Sequence, residues 1–371
     1  MADVKYEAIL VDTSIFDGNG LRLESGLLGK LKQFAESEVE FLMPDVIKNE
    51  IQSHLERKIH VARNALEKSI NDAGDHLFFD GSILNDAKNL IVESEEIEGL
   101  AKSRFDNFLN NTSALEIQCD DYVSINNVLD FYFQNKAPFS ESGKKKNEFP
   151  DAIVLLAIDK WANCEDKSVL AVAKDKDWKA FCEASDNIDY IEDFSEGLSK
   201  FNSATAPYAL LENLKSALDA ERAGRFIGRV ENSLKSVLNG ITPDQEADSH
   251  LYWEAQGARC WFKSFELYDN EFTIIDSGEN WIVMEVWANI TVEAEGEFSL
   301  SVYDSIDRDN VPMGRVTATV EQKFESQVLI SLSGDLIGDI NELNVDDVEV
   351  VDPISSVNFG TIEPDYSDYE R

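Results

Sequence analysis

The spacing of apolar residues changes character part-way along the chain. Up to about residue 200, short continuous apolar runs alternate with stretches whose apolar positions recur at helical spacing. The runs are 6–11, 39–43, 168–173 and 188–191, and unbroken hydrophobicity over so few residues suits strands covered on both faces. Between them the pattern predicts helices over 21–35, from Asp45 onward, over 122–133 and from Glu148 onward. From His54 to about residue 110 the sequence stays helical but charged, and its acidic run 93–98 is expected to be a solvated surface. Such alternation predicts an α/β domain with a parallel sheet and a helical insertion. Residues 208–237 are helical again. From about Leu251 the period becomes two, in aromatic-rich segments such as 281–287 and 298–303, which predicts a mainly antiparallel β domain.

The organisation that follows is an α/β domain over 1–202, a connecting helix over 208–240, a β-rich domain over 250–360 and a disordered tail over 361–371. Residues 203–207 form the linker between the first two. Trp253, Trp261, Trp281 and Trp287 are expected in the core of the β domain, against the alternative that they stack on bases.

Charge narrows the function. The net charge is -39, with 22 basic against 39 acidic residues over 1–205 and 11 against 33 over 206–371. A broad basic platform that grips a duplex by neutralising phosphates is excluded, so any nucleic-acid contact is local. The four cysteines, Cys119, Cys164, Cys182 and Cys260, form no C-x-x-C pair and point to neither a zinc knuckle nor a disulfide framework. The first residues lead into a β-type run without the apolar core of a signal peptide, and no span of about 18 apolar residues could cross a bilayer. The expectation is a cytoplasmic protein without a membrane partner.

One stretch departs from the bland α/β pattern. In 148–157 a proline, Pro150, stands where a helix should start, Asp151 follows in the first turn, and the rest is greasy enough to be buried. A charge at a buried helix start costs free energy unless something compensates it. Three further acids fall where a parallel sheet puts its active site: Asp12 after the first strand, Glu50 on the helix after the second, and Asp175 after the strand at 168–173. Two carboxylates about 4 Å apart repel by roughly 4 kcal/mol at an effective dielectric near 20, so such a set holds protons or binds a cation. Oxygen ligands favour magnesium or manganese, whose bound water can attack a phosphodiester without a serine or cysteine nucleophile.

Four segments carry a resemblance. They are Ile9-Leu10-Val11-Asp12-Thr13-Ser14, Met43-Pro44-Asp45-Val46-Ile47-Lys48-Asn49-Glu50-Ile51, Lys146-Asn147-Glu148-Phe149-Pro150-Asp151-Ala152 and Val172-Ala173-Lys174-Asp175-Lys176-Asp177-Trp178. In order and spacing, residues 1 to about 195 resemble the PIN-domain ribonucleases. The resemblance implies a three-layer α/β/α fold and metal-dependent endonucleolytic cleavage, usually of single-stranded RNA, with DNA left open as a substrate. It implies a Mg2+ or Mn2+ site formed by Asp12, Glu50, Asp151 and Asp175, with Asp177 as a second candidate for the last place. It also implies Ser14, beside Thr13, as the hydroxyl that steadies the site. The family's common Thr two places before its fourth acid is Ala173 here, which removes a hydroxyl from that edge. Related domains often pair, so a homodimer is open, and the β domain is available to a protein partner.

Basic residues flank three of the four acids. Lys144, Lys145 and Lys146 precede Asp151, Lys174, Lys176 and Lys179 surround Asp175, and Arg57 and Lys58 follow Glu50. In a chain this acidic they read as a local phosphate guide, against the plainer reading that they neutralise neighbouring surface acids. His54 shares a helix face with Glu50, Arg57 and Lys58, in a structural role or reaching the metal or a phosphate. Two other classes compete with the nuclease. A haloacid-dehalogenase-type phosphatase wants a second aspartate two places after the first, where this chain has Ser14. A PIN-like module kept only for binding would be expected to have lost an acid, and all four are present.

Overall fold

Strand β1 (Ala8–Val11) is buried along its whole length and stands at the centre of a five-stranded sheet. The computed structural model describes residues 6–74, 86–88, 96–139, 148–202, 205–304 and 308–364, and the chain divides into two units, Met1–Ser203 and Ala204–Arg371. In the first unit β1 is followed by α1 (Thr13–Gly18), α2 (Gly26–Gly29), β2 (Glu40–Pro44), α3 (Asp45–Gly74), α4 (Ile97–Thr112) and β3 (Leu115–Ile117). Then come α5 (Ile125–Gln134), α6 (Phe149–Glu165), β4 (Val169–Val172), α7 (Lys176–Cys182), β5 (Ile188–Ile191) and α8 (Phe194–Ser199).

The strands lie in the order β3-β2-β1-β4-β5, and every neighbouring pair is parallel. The chain winds outward from β1 through β2 to β3, then returns to place β4 on the other flank of β1. The winding therefore reverses between β1 and β4, and in an open α/β sheet the crevice beyond the carboxyl ends at such a reversal is where ligands bind. Aliphatic residues buried at every position of β1 and β4 require cover on both faces. Helix α6 buries Ala152, Val154, Leu155, Ala157, Ile158, Trp161 and Ala162, apolar around most of its circumference, as suits a helix enclosed by the fold.

Local geometry departs from the sequence pattern in places. The helix expected over 21–35 is the four-residue α2 followed by a 3-10 segment, Lys30–Glu36. Leu21 and Gly26 adopt left-handed backbone, with φ of 56° and 61°, which interrupts an α-helical ladder. Helix α1 and strand β3 have no counterpart among the predicted elements. At three residues, two of them exposed, β3 is held to β2 mainly by main-chain pairing and leaves little hydrophobic signal. Helix α6 begins at Phe149, so Pro150 takes its second position, where a missing N–H is still without cost. The predicted acidic surface at 93–95, the loop lysines Lys144, Lys145 and Lys146, and tail residues 365–371 lie outside the described residues.

The second unit comprises α9 (Thr205–Asp219), α10 (Gly224–Leu238), β6 (Asp244–Asp248), β7 (Tyr252–Ser277), β8 (Trp281–Asp304), β9 (Asp309–Ser333), β10 (Asn344–Val350) and β11 (Ser356–Thr361). The helix read over 208–237 is thus two helices, with Glu221 in left-handed backbone between them. Strands β10-β9-β8-β7 form an antiparallel sheet, and β11 pairs in parallel with β6. On α10 the residues Phe226, Val230, Leu234 and Leu238, each four apart, are buried in one core with Ile282, Met284, Val286, Ala288 and Ile290 of β8.

The tryptophans correct the sequence reading. Trp253 packs into this core, its ring 5.5 Å from that of Phe298 in an edge-on contact. Trp261, Trp281 and Trp287 are about 40% exposed. The cause is strand parity. The even-numbered residues of β8 face the core, so Trp281 and Trp287 point the other way, and Trp261 pairs across the sheet with the odd-numbered, exposed Glu293.

Leu10, fully buried in β1, offers a test of this architecture. Leu10→Ala should lower the stability of the first unit by about 2–5 kcal/mol through lost burial and a residual cavity. The shift is measurable as a lower urea midpoint.

Candidate functional site

Asp12 follows β1 directly, and its backbone N–H donates to the carbonyl of Val172 at the end of β4. It caps the start of α1, accepting from the backbone N–H of Ser14 at 3.0 Å and from the Ser14 hydroxyl on the same oxygen. Ser14 ties the neighbouring strand in as well, since its hydroxyl accepts from the N–H of Lys174 at 3.3 Å. Asp12 is only 7% exposed. Burial raises its pKa above the ordinary aspartate value, the Ser14 hydrogen bonds oppose that shift, and the Glu50 charge adds to it.

Glu50 reaches the same edge from α3. Its Oε2 accepts from the Thr13 hydroxyl at 2.8 Å, which fixes the carboxylate against the start of α1. Asp151, in the first turn of α6, is held from another direction: Oδ1 accepts from the indole Nε1 of the fully buried Trp178 at 2.9 Å. Burial pushes the Asp151 carboxyl up to about 7. The Trp178 hydrogen bond lowers it in part, and the charges of Asp12, Asp175 and Glu50 raise it further. These four acids come from four separate segments and act on one another at the reversal between β1 and β4.

Asp175 caps α7, its Oδ1 accepting from the N–H of Asp177 at 2.7 Å. Asp177 sits differently. Its pKa is raised by burial and by the charges of Asp175 and Glu148, and it is not among the charges that act on Asp151. The sequence also passed over two side chains. Trp178 closes the Asp175 motif and orients Asp151, and its place three residues after Asp175, at helical spacing, was the available signal. Tyr190 near the end of β5 has its pKa raised by burial and by the charges of Glu192, Asp175 and Asp12.

The basic residues fall in several places. Lys174 and Lys176 are exposed at the end of β4 and the start of α7, and Arg57 is exposed on α3. His54 is hydrogen-bonded through Nδ1 to Asp17, at 2.8 and 3.0 Å from its two oxygens. Lys144, Lys145 and Lys146 are not described.

Among the described residues no group of three or more His, Cys, Asp or Glu is gathered closely enough to hold a metal ion. The donor set is nevertheless all oxygen, and its charges destabilise one another at Asp151, which a hard divalent cation would relieve. Magnesium keeps several waters and binds through one or two carboxylates, so this set fits a hydrated cation better than a dehydrated ion caged by protein.

No helix among the described residues is long and apolar enough to cross a membrane. Residues 9–178 match a family model described as PIN domain. Neither the curated proteins nor the solved structures yield a match. PIN domains are usually nucleases, typically bind nucleic acid and generally use divalent metals. The N-terminal unit is a PIN-like domain with the α/β/α architecture of that family, and the C-terminal unit lies outside the match.

Proposed function

We propose that the N-terminal unit is a divalent-metal-dependent endoribonuclease that hydrolyses phosphodiester bonds in single-stranded RNA. The observation that supports this reading is that the charges of Asp12, Glu50 and Asp175, from three other segments, all act on the buried Asp151. Bound there, Mg2+ or Mn2+ supplies a water of lowered pKa and offsets charge building on the phosphate. The chain's own side chains do the positioning. Ser14 and Thr13 fix Asp12 and Glu50 at the start of α1, Trp178 sets the plane of Asp151, and the N–H of Asp177 holds one oxygen of Asp175. Lys174, Lys176 and Arg57 supply positive charge for the substrate backbone, and Lys144, Lys145 and Lys146, which precede Asp151 in the sequence, are assigned the same role. The C-terminal unit, with its heavy acidic excess, is assigned to a protein partner rather than to RNA.

A second reading has its own support. Among the described residues no three acids stand as a ready-made metal cage, which suits a PIN-like module that binds without cutting. Incubation with single-stranded RNA and manganese separates the two. Cleavage should be robust for the native chain and fall by about two orders of magnitude or more in Asp12→Asn and Asp151→Asn. Equal cutting by native and variant proteins, or none by either, would sink the four-acid mechanism.

The metal-free protein has a second signature. Asp151 holds its proton more tightly folded than unfolded, since its pKa rises from 3.8 to about 7. The folded state therefore binds more protons between those values, so stability falls as pH climbs from about 4 through 7. Asp151→Asn should flatten that decline and be the more stable protein above pH 7, by on the order of 2 kcal/mol after solvent screening. Thermal unfolding in EDTA across pH 5–8 reads this directly.

A further inference from the structure

The turn at the end of α1 gathers cations that the four acids do not explain. Successive residues of α3 run beside α1: Glu50 contacts Thr13, His54 contacts Asp17, and the Lys58 ammonium lies 3.4 Å from where a Cβ on Gly20 would stand. The Lys174 ammonium arrives from the end of β4 and lies 3.2 Å from the corresponding point on Gly18. Two lysines from distant parts of the sequence thus crowd one short turn. Asp17, on the same helix, is hydrogen-bonded by His54 and pairs with neither lysine. Neither Lys58 nor Lys174 has an ion-pair partner among the described residues. Gathering two unpaired ammonium groups costs mutual repulsion, and an anion seated between them would reverse that cost.

We propose that Lys58 and Lys174 form a seat for a backbone phosphate of a single-stranded nucleic acid, one that flanks the scissile phosphate. The identity of the anion rests on the nuclease reading. Position argues the rest. Gly18 is six residues beyond Asp12 on α1, roughly 9 Å along the helix axis, too far for one phosphate to meet both the acids and the seat. Lys174 links the two places, since its backbone N–H donates to Ser14, the residue that holds Asp12, while its ammonium reaches Gly18. The absence of side chains at Gly18 and Gly20 is what lets the two ammonium groups approach this turn so closely. The seat therefore sets which way the strand runs across the acids.

Binding of a fluorescent single-stranded RNA to the full chain in EDTA, where no cleavage intervenes, tests the proposal. Lys58→Gln and Lys174→Gln should each weaken binding about fivefold at low salt and reduce the slope of log affinity against log salt by roughly 0.7, the value for one phosphate on a single strand. Lys58→Arg and Lys174→Arg should retain most of the affinity, and Lys200→Gln, whose lysine pairs with Glu196 on α8, should bind as the native chain does. Thermal unfolding identical to the native chain excludes a folding defect. Glutamine variants with native affinity and slope would overturn the seat. So would displacement of the RNA by millimolar inorganic phosphate, which would mark a site for a free anion. Adding manganese to the same complexes keeps the two readings apart. RNA bound in a lysine-dependent way but never cut refutes the nuclease and leaves the seat standing, whereas cutting with lysine-independent binding refutes the seat alone.

Discussion

The structure of the first unit depends on tolerating several carboxylates at one poorly hydrated edge. Burial alone raises Asp12 and Asp151, and the neighbouring acids raise them further, so the fold carries this charge at a cost. Part of the compensation is hydrogen bonding by Ser14, Thr13 and Trp178, and part is the start of α6, whose positive end faces Asp151. Each donor comes from a segment other than that of the acid it serves or from the turn that follows it. The contacts that lower the cost of the charge therefore also lock β1, α3, α6 and α7 to one another.

On the proposed reading, a chain of net charge -39 has to approach a polyanion. Charges separated by more than the Debye length, about 8 Å at physiological salt, are largely screened. The bulk of the acidic surface is then a weak, diffuse repulsion, while ammonium groups in direct contact with a phosphate act at short range. Lys58 and Lys174 meet that requirement because they are brought to one turn by strands and helices far apart in sequence. The general acidity keeps non-specific binding low, and the local cations decide where a strand can rest.

The layered fold was legible because buried parallel strands write themselves as unbroken apolar runs, as at 6–11 and 168–173. What escaped was local backbone. The left-handed turns at Leu21 and Gly26 leave no trace in an apolar period that still looks helical, and β3 is too short and exposed to register. Asp12, Asp151 and Asp175 stood out because each sits at an element's end, and Glu50 because it lies on the helix that follows β2. Their donors could not all be named. Trp178 reads as one more core aromatic until the indole N–H is seen against Asp151. Likewise Trp281 and Trp287 looked like core residues because composition carries no parity, and only the register of β8 against its neighbours shows which face they take.

The four acids share one arrangement that bears on how the site works. Asp12, Glu50, Asp151 and Asp175 each have an oxygen engaged by a named donor: Ser14, Thr13, Trp178 and the N–H of Asp177. A carboxylate held at one oxygen has fewer orientations open to it and keeps its other oxygen for a further partner. The pins differ in kind. Three belong to the turns that begin α1 and α7 and are as firm as those caps, while Asp151 depends on a single indole held by core packing. The acid with the most strongly raised pKa is therefore the one whose orientation is tied to the hydrophobic core, and any change in how Trp178 packs is transmitted to it.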